Sequence, residues 1–113
     1  MKKNPIEYDY IVHHIRDGKS VGYKAIIPAF NGVVFGDGLA EIESGVALAI
    51  QEELKARINA HGKKRVIPEP DAHQTFTGKF MVRMNPALHQ KLSLEAKARR
   101  KSLNAYIQEK ISA

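Results

Sequence analysis

Lys79, Met81 and Arg83, spaced two apart, have the types and spacing to do chemistry in this chain. In the run Gly78-Lys79-Phe80-Met81-Val82-Arg83-Met84 they share one face of an extended strand, and Phe80, Val82 and Met84 share the other, because successive side chains in a strand point to opposite sides. Arg83 brings a planar guanidinium that can donate two hydrogen bonds to a guanine edge. Lys79 can reach a guanine or a phosphate, and Met81 can pack on a thymine methyl. A strand this short cannot stand alone. Paired with the same strand of a second copy, it would form a two-stranded ribbon narrow enough for a DNA major groove, with Phe80, Val82 and Met84 as dimer core. The expected chemistry is base readout by a dimer.

A second cluster follows, where Lys97, Arg99, Arg100 and Lys101 crowd the start of a helix that Ser102 would open. The hydroxyl of Ser102 is a good N-cap, and amides at the positive end of a helix attract phosphate. Lys97, Arg100, Lys101, Ser102 and Leu103 are therefore the expected phosphate contacts, which position a protein on DNA without reading sequence. Charge supports this division of the chain. Residues 1–62 hold 7 Lys/Arg against 8 Asp/Glu, whereas residues 63–113 hold 11 against 4, so the net +6 resides in the back half. Only that half would gain from releasing the counterions of a polyanion.

The elements that must position these groups can be read from periodicity and punctuation. Asn85 can cap a helix whose first residue is Pro86, where a missing N–H costs nothing. That helix is predicted to run to about Arg99 with an apolar stripe of Leu88, Leu92 and Ala96, helped by Leu94, and the next to open at Ser102 with Leu103, Tyr106, Ile107 and Ile111 inward. In the front half, Tyr8–Ile15 and Val21–Ala29 flank the turn-forming run Asp17-Gly18-Lys19-Ser20, which predicts a hairpin. A third strand is expected at Val33-Val34-Phe35 between glycine turns. Leu39, Ile42, Val46, Ala49, Ile50, Leu54 and Ile58 recur at three and four, which predicts an amphipathic helix over Leu39–Ala60 that tolerates Gly45 and ends at His61-Gly62. A fourth strand is expected at Arg65-Val66-Ile67. The two prolines of Pro68-Glu69-Pro70 introduce a stiff linker. The expected organisation is a front domain at 1–70, a linker at 71–76 and a dimerising tail at 77–113.

Composition excludes several classes. A hydrophobic content of 43% with 27% charged residues is that of a globular protein, and no apolar run approaches the roughly 18–20 residues of a membrane span. No apolar stretch follows Met1-Lys2-Lys3 that could act as a signal, and the chain has no cysteine, so the expected compartment is the cytoplasm. The carboxylates Glu7, Asp9, Asp17, Asp37, Glu41, Glu43, Glu52 and Glu53 do not converge in the way a two-metal nuclease requires; those at 41, 43, 52 and 53 read as a solvent- or partner-facing helix surface. His13 and His14 are adjacent on a strand and so diverge, and His61, His73 and His89 lack metal-ligand spacing. No catalytic residue, metal or cofactor is expected.

The run from Gly78 to Pro86, then Leu88-His89 and Ser102-Leu103-Asn104-Ala105-Tyr106-Ile107, resembles ribbon-helix-helix domains of the Arc and MetJ repressor type, and more narrowly the tail of HicB-type antitoxins. Gly22-Tyr23-Lys24-Ala25-Ile26-Ile27-Pro28, Gly32, Gly36-Asp37-Gly38, the long helix and Ile67-Pro68-Glu69-Pro70 are similar to the front domain of that family, so the resemblance covers nearly the whole chain. It implies an α+β fold: a truncated RNase H-like β-β-β-α-β domain, then a ribbon-helix-helix that dimerises through its strand. It implies two partners besides a second copy, a HicA-like ribonuclease toxin held by the front half and the operator DNA of the shared operon, with dimer or tetramer left open. Three positions depart from the family pattern. Val33 stands in place of a usual cysteine, Gly38 in place of a threonine, and the turn at Arg100-Lys101 has no glycine. The competing readings are a stand-alone regulator with a sensing front domain and a degenerate nuclease.

Overall fold

Val33, Val34 and Phe35 are apolar in succession, so the strand that carries them needs cover on both faces. The computed structural model, which describes residues 7–16, 22–58, 67–72 and 81–112, supplies both layers. Strands β1 (Ile11–His14), β2 (Tyr23–Ile27) and β3 (Gly32–Gly36) form an antiparallel meander. Helix α1 (Leu39–Ile58) follows, and then β4 (Met81–Arg83), α2 (Pro86–Ala98) and α3 (Leu103–Ser112). The sheet order is β1-β2-β3-β4, with β4 parallel to β3. The fold is thus α+β, with one four-stranded sheet and three α-helices among the described residues.

Strand alternation sorts the core into two layers. Ala25, Ile27 and Val34 face α1, where they pack with Ile42, Val46, Ala49, Ile50 and Leu54. Val33 and Phe35 face the other way, onto Leu88, Leu92 and Ala96 of α2 and Tyr106 of α3. All five residues of β3 are buried. Gly45 now has a physical reason: a Cβ there would lie 2.8 Å from Cγ1 of Val34, so a bare backbone lets α1 settle on the sheet.

The hairpin, the third strand and the long helix occur where periodicity predicts them, with α1 ending its described length at Ile58. Its stripe is narrower than expected, since Leu39 and Ile58 are exposed while Ile42 to Leu54 supply the buried positions. Leu94 is also exposed, and does not join the stripe of α2, because two residues along a helix turn it about 200° from Leu92. Of the strand expected at 65–67, Ile67 lies outside any strand and packs on the first core, and the other two residues fall outside the described ones. The fourth strand is β4 from the tail. The stretch just before the expected linker is anchored: Tyr8 Oη donates to the Pro68 carbonyl at 2.6 Å and the Asp9 amide to that of Pro70 at 3.0 Å. Residues 73–76 lie outside the described residues.

Candidate nucleic-acid interface

The tail has the local chemistry expected of it. Asn85, extended at φ −70° and ψ 158°, accepts the Leu88 amide at 2.7 Å on its side-chain oxygen, and Pro86 occupies the first helical position. At the next helix start, Ser102 Oγ accepts the Ala105 amide at 3.0 Å. The hydroxyl is thus engaged as a cap, which leaves the earlier amides of α3 at a positive helix end.

Between these helices the chain turns through a Schellman motif. The Arg100 amide donates to the Lys97 carbonyl at 3.1 Å and the Lys101 amide to that of Ala96 at 2.9 Å. The motif requires a left-handed residue at its centre, and Arg100 takes that conformation at φ 57°. The family pattern has glycine in this turn. Here an arginine occupies the left-handed position.

Not every basic group of this cluster is equally available. Lys97 and Arg100 are exposed. Lys101 pairs with Glu109 of α3, and the guanidinium of Arg99 lies 5.5 Å from the centre of the Tyr106 ring. Ser102 is exposed and Leu103 half-buried against the second core.

Strand β4 keeps the predicted alternation but has different neighbours. Val82 and Met84 pack on the core beneath α2 and α3, as an inward face should. In the single chain that core also contains Val33 and Phe35 of β3. Met81 packs on the opposite core beside α1, and Arg83 forms an ion pair with Glu52 of α1. The face expected to meet solvent and DNA thus lies against the long helix. Lys79 and Phe80 fall outside the described residues.

Three polar groups that periodicity had not singled out join front to tail. Besides Glu52, the carboxylate of Glu41 accepts both the Asp37 amide, at 2.7 Å, and the side-chain amide of Asn85. Lys24, buried on β2, donates to the carbonyls of Ile111 at 2.6 Å and Lys110 at 3.4 Å, at the negative end of α3. Burial holds its ammonium below the ordinary lysine range. With Glu53 paired to Arg57, three of the four α1 carboxylates read as solvent- or partner-facing have partners within the chain, and Glu43 is exposed. Among the described residues no cluster of His, Asp or Glu is placed to hold a metal ion, and no helix is long and apolar enough to cross a membrane.

Residues 62–111 match the model of the HicB family. The matched stretch includes β4, α2 and α3. No curated protein matches the chain, and no solved structure does.

Proposed function

We propose that this chain is the antitoxin of a HicAB-type toxin–antitoxin pair. The observation that carries the reading is the HicB-family match over residues 62–111, which supports a toxin–antitoxin role and a toxin partner. In this reading the partner is a small mRNA-cleaving ribonuclease of the HicA kind, and the chain neutralises it by binding in the cytoplasm without catalysis of its own. The tail, as a ribbon-helix-helix dimer, represses the shared operon: Lys79, Met81 and Arg83 read bases, and Lys97, Arg100, Lys101, Ser102 and Leu103 hold phosphates. The capped helix starts at Asn85 and Ser102 and the exposed Lys97 and Arg100 are consistent with that assignment.

With both faces covered at β3 and all four residues of β1 exposed, the toxin surface is assigned to β1 and its outer edge, where Tyr10, Ile11 and Val12 are 38%, 49% and 38% exposed. An open edge lined by apolar side chains can accept a further strand. The test is co-expression with a neighbouring reading frame that encodes a small basic protein with a catalytic histidine, followed by pull-down and growth measurement. Association and restored growth are expected, and Val12→Asp should abolish both while the chain stays folded. Persistent toxicity with no association would overturn the reading.

A further inference from the structure

The contacts that join front to tail are ones a DNA-reading ribbon would have to give up. Strand β4 is attached to β3 through three residue pairs, Gly32 with Met81, Val33 with Val82 and Val34 with Arg83. At this junction the side chain of Met81 reaches over Gly32, its Cε within 2.7 Å of where a Cβ on Gly32 would lie. Outside the sheet, Glu52 holds Arg83, Glu41 holds Asn85, and Lys24 holds the end of α3. A strand docked this way cannot also serve as half of a ribbon. Pairing through its outer edge would leave Met81 packed beside α1 and Arg83 paired with Glu52, neither presented to a groove. It would also leave Val82 and Met84 committed to Val33 and Phe35, not to a core shared between two copies.

We infer that β4 exchanges partners: it docks on β3 in the single chain and must leave that sheet before it can pair with β4 of a second copy. The front half therefore holds the tail in a form that opposes dimerisation, through the Glu52–Arg83 pair among other contacts. The exchange rests on the reading of the tail as a ribbon that dimerises through its strand, and its consequence for DNA rests further on that ribbon binding DNA.

Each protomer must undock, so the apparent dimer dissociation constant follows the square of the docking equilibrium. Arg83 and Glu52 are 38% and 41% exposed, and pairs of this kind change an equilibrium by about 1.4- to 5-fold. Glu52→Gln in the full chain should therefore tighten the dimer about 2- to 25-fold, and Glu52→Lys, which opposes Arg83, by more. Sedimentation equilibrium measures both. A second test uses the register directly. The chain has no cysteine, so Val33→Cys with Val82→Cys can form a disulfide only between the new thiols. On mild oxidation at high dilution the bond should form within one chain and hold it monomeric, and reduction should restore the dimer. Unchanged association in both Glu52 variants would overturn the exchange. So would a disulfide that forms only between copies, or an oxidised chain that dimerises as tightly as the reduced one. The promoter fragment upstream of the chain's own reading frame is the DNA probe. Binding by the reduced chain alone supports both readings; if neither form binds while only the reduced form dimerises, the exchange is supported and the DNA reading falls.

Discussion

Replacing Arg100 by glycine should stabilise the protein while weakening the DNA binding proposed for it. Arg100 sits at φ 57° at the centre of the turn between α2 and α3. The two Schellman hydrogen bonds, 3.1 and 2.9 Å long, hold it there. A left-handed backbone brings Cβ of an L-residue against the following carbonyl, at a cost of about 1–2 kcal/mol that glycine escapes. Glycine also widens the unfolded ensemble, which removes about 0.4–1 kcal/mol of that gain. The net expectation is about 0.5–1 kcal/mol more stable, or about 2–5 °C in Tm for a chain of this size. Arg100→Ala provides the control, since alanine loses the charge but keeps the strained conformation and should leave Tm nearly unchanged. Both variants lack one exposed cation and should lower the slope of log affinity against log salt by about one. Thermal unfolding with a salt titration on promoter DNA separates the two effects. If alanine stabilises as much as glycine, backbone strain is not the cause, and the account of this turn is wrong.

Gly45→Ala should destabilise the chain, because the added Cβ would lie 2.8 Å from Cγ1 of Val34; a rise in Tm matching alanine's helix preference of about 1 kcal/mol would show that α1 has room to spare. Lys24 gives a pH dependence. Its folded-state pKa is lowered from 10.5 by burial, so between that lowered value and 10.5 the folded chain binds fewer protons than the unfolded one, and stability should rise with pH. Denaturant titrations from pH 8 to 10 should therefore favour wild type increasingly over Lys24→Met, and a constant difference would remove the buried ammonium from the account. On promoter DNA, Arg83→Ala should lose about 1–3 kcal/mol and flatten base discrimination, whereas Lys101→Ala should weaken specific and random DNA alike. Equal losses on both DNAs for Arg83→Ala, at one salt concentration, would deny the strand its reading role.

Much of this fold is legible wherever local chemistry decides. The Asn85-Pro86 start, the Ser102 cap, the buried stripe of Leu88, Leu92 and Ala96, and the three-stranded meander each follow from residue type and spacing over a few positions. What periodicity could not supply is which element covers which. Alternation in β4 correctly parts Val82 and Met84 from Met81 and Arg83, but it carries no information about the partner of either face. One signal was available: Val33-Val34-Phe35 is apolar on both sides, which requires two layers over β3, and periodicity predicts one long helix in the front half to provide them. The second layer had to come from the tail. Lys24 and Glu52 offered no such signal, because a charged residue on a strand or helix reads as solvent-facing until its partner is known, and that partner lies 86 and 87 positions away for Lys24 and 31 for Glu52.

The same degeneracy gives the tail strand two possible lives. A three-residue strand with an apolar and a polar face satisfies its backbone on any neighbouring edge, and its apolar face is content with any compatible layer. Val33 and Phe35 of β3 offer that layer within the chain, and a second copy's Phe80, Val82 and Met84 would offer it between chains. Choice between them then falls to side chains that distinguish the two neighbours. Glu52, Glu41 and Lys24 all lie in the front half and all act on the tail, so they favour the docked arrangement and have no part in a ribbon of two tails. The docked strand gains its neighbours without the concentration cost of association, which acts only on the dimer. Dilution and the front-half carboxylates thus push in the same direction, and DNA, which would bind only the paired ribbon, pushes in the other.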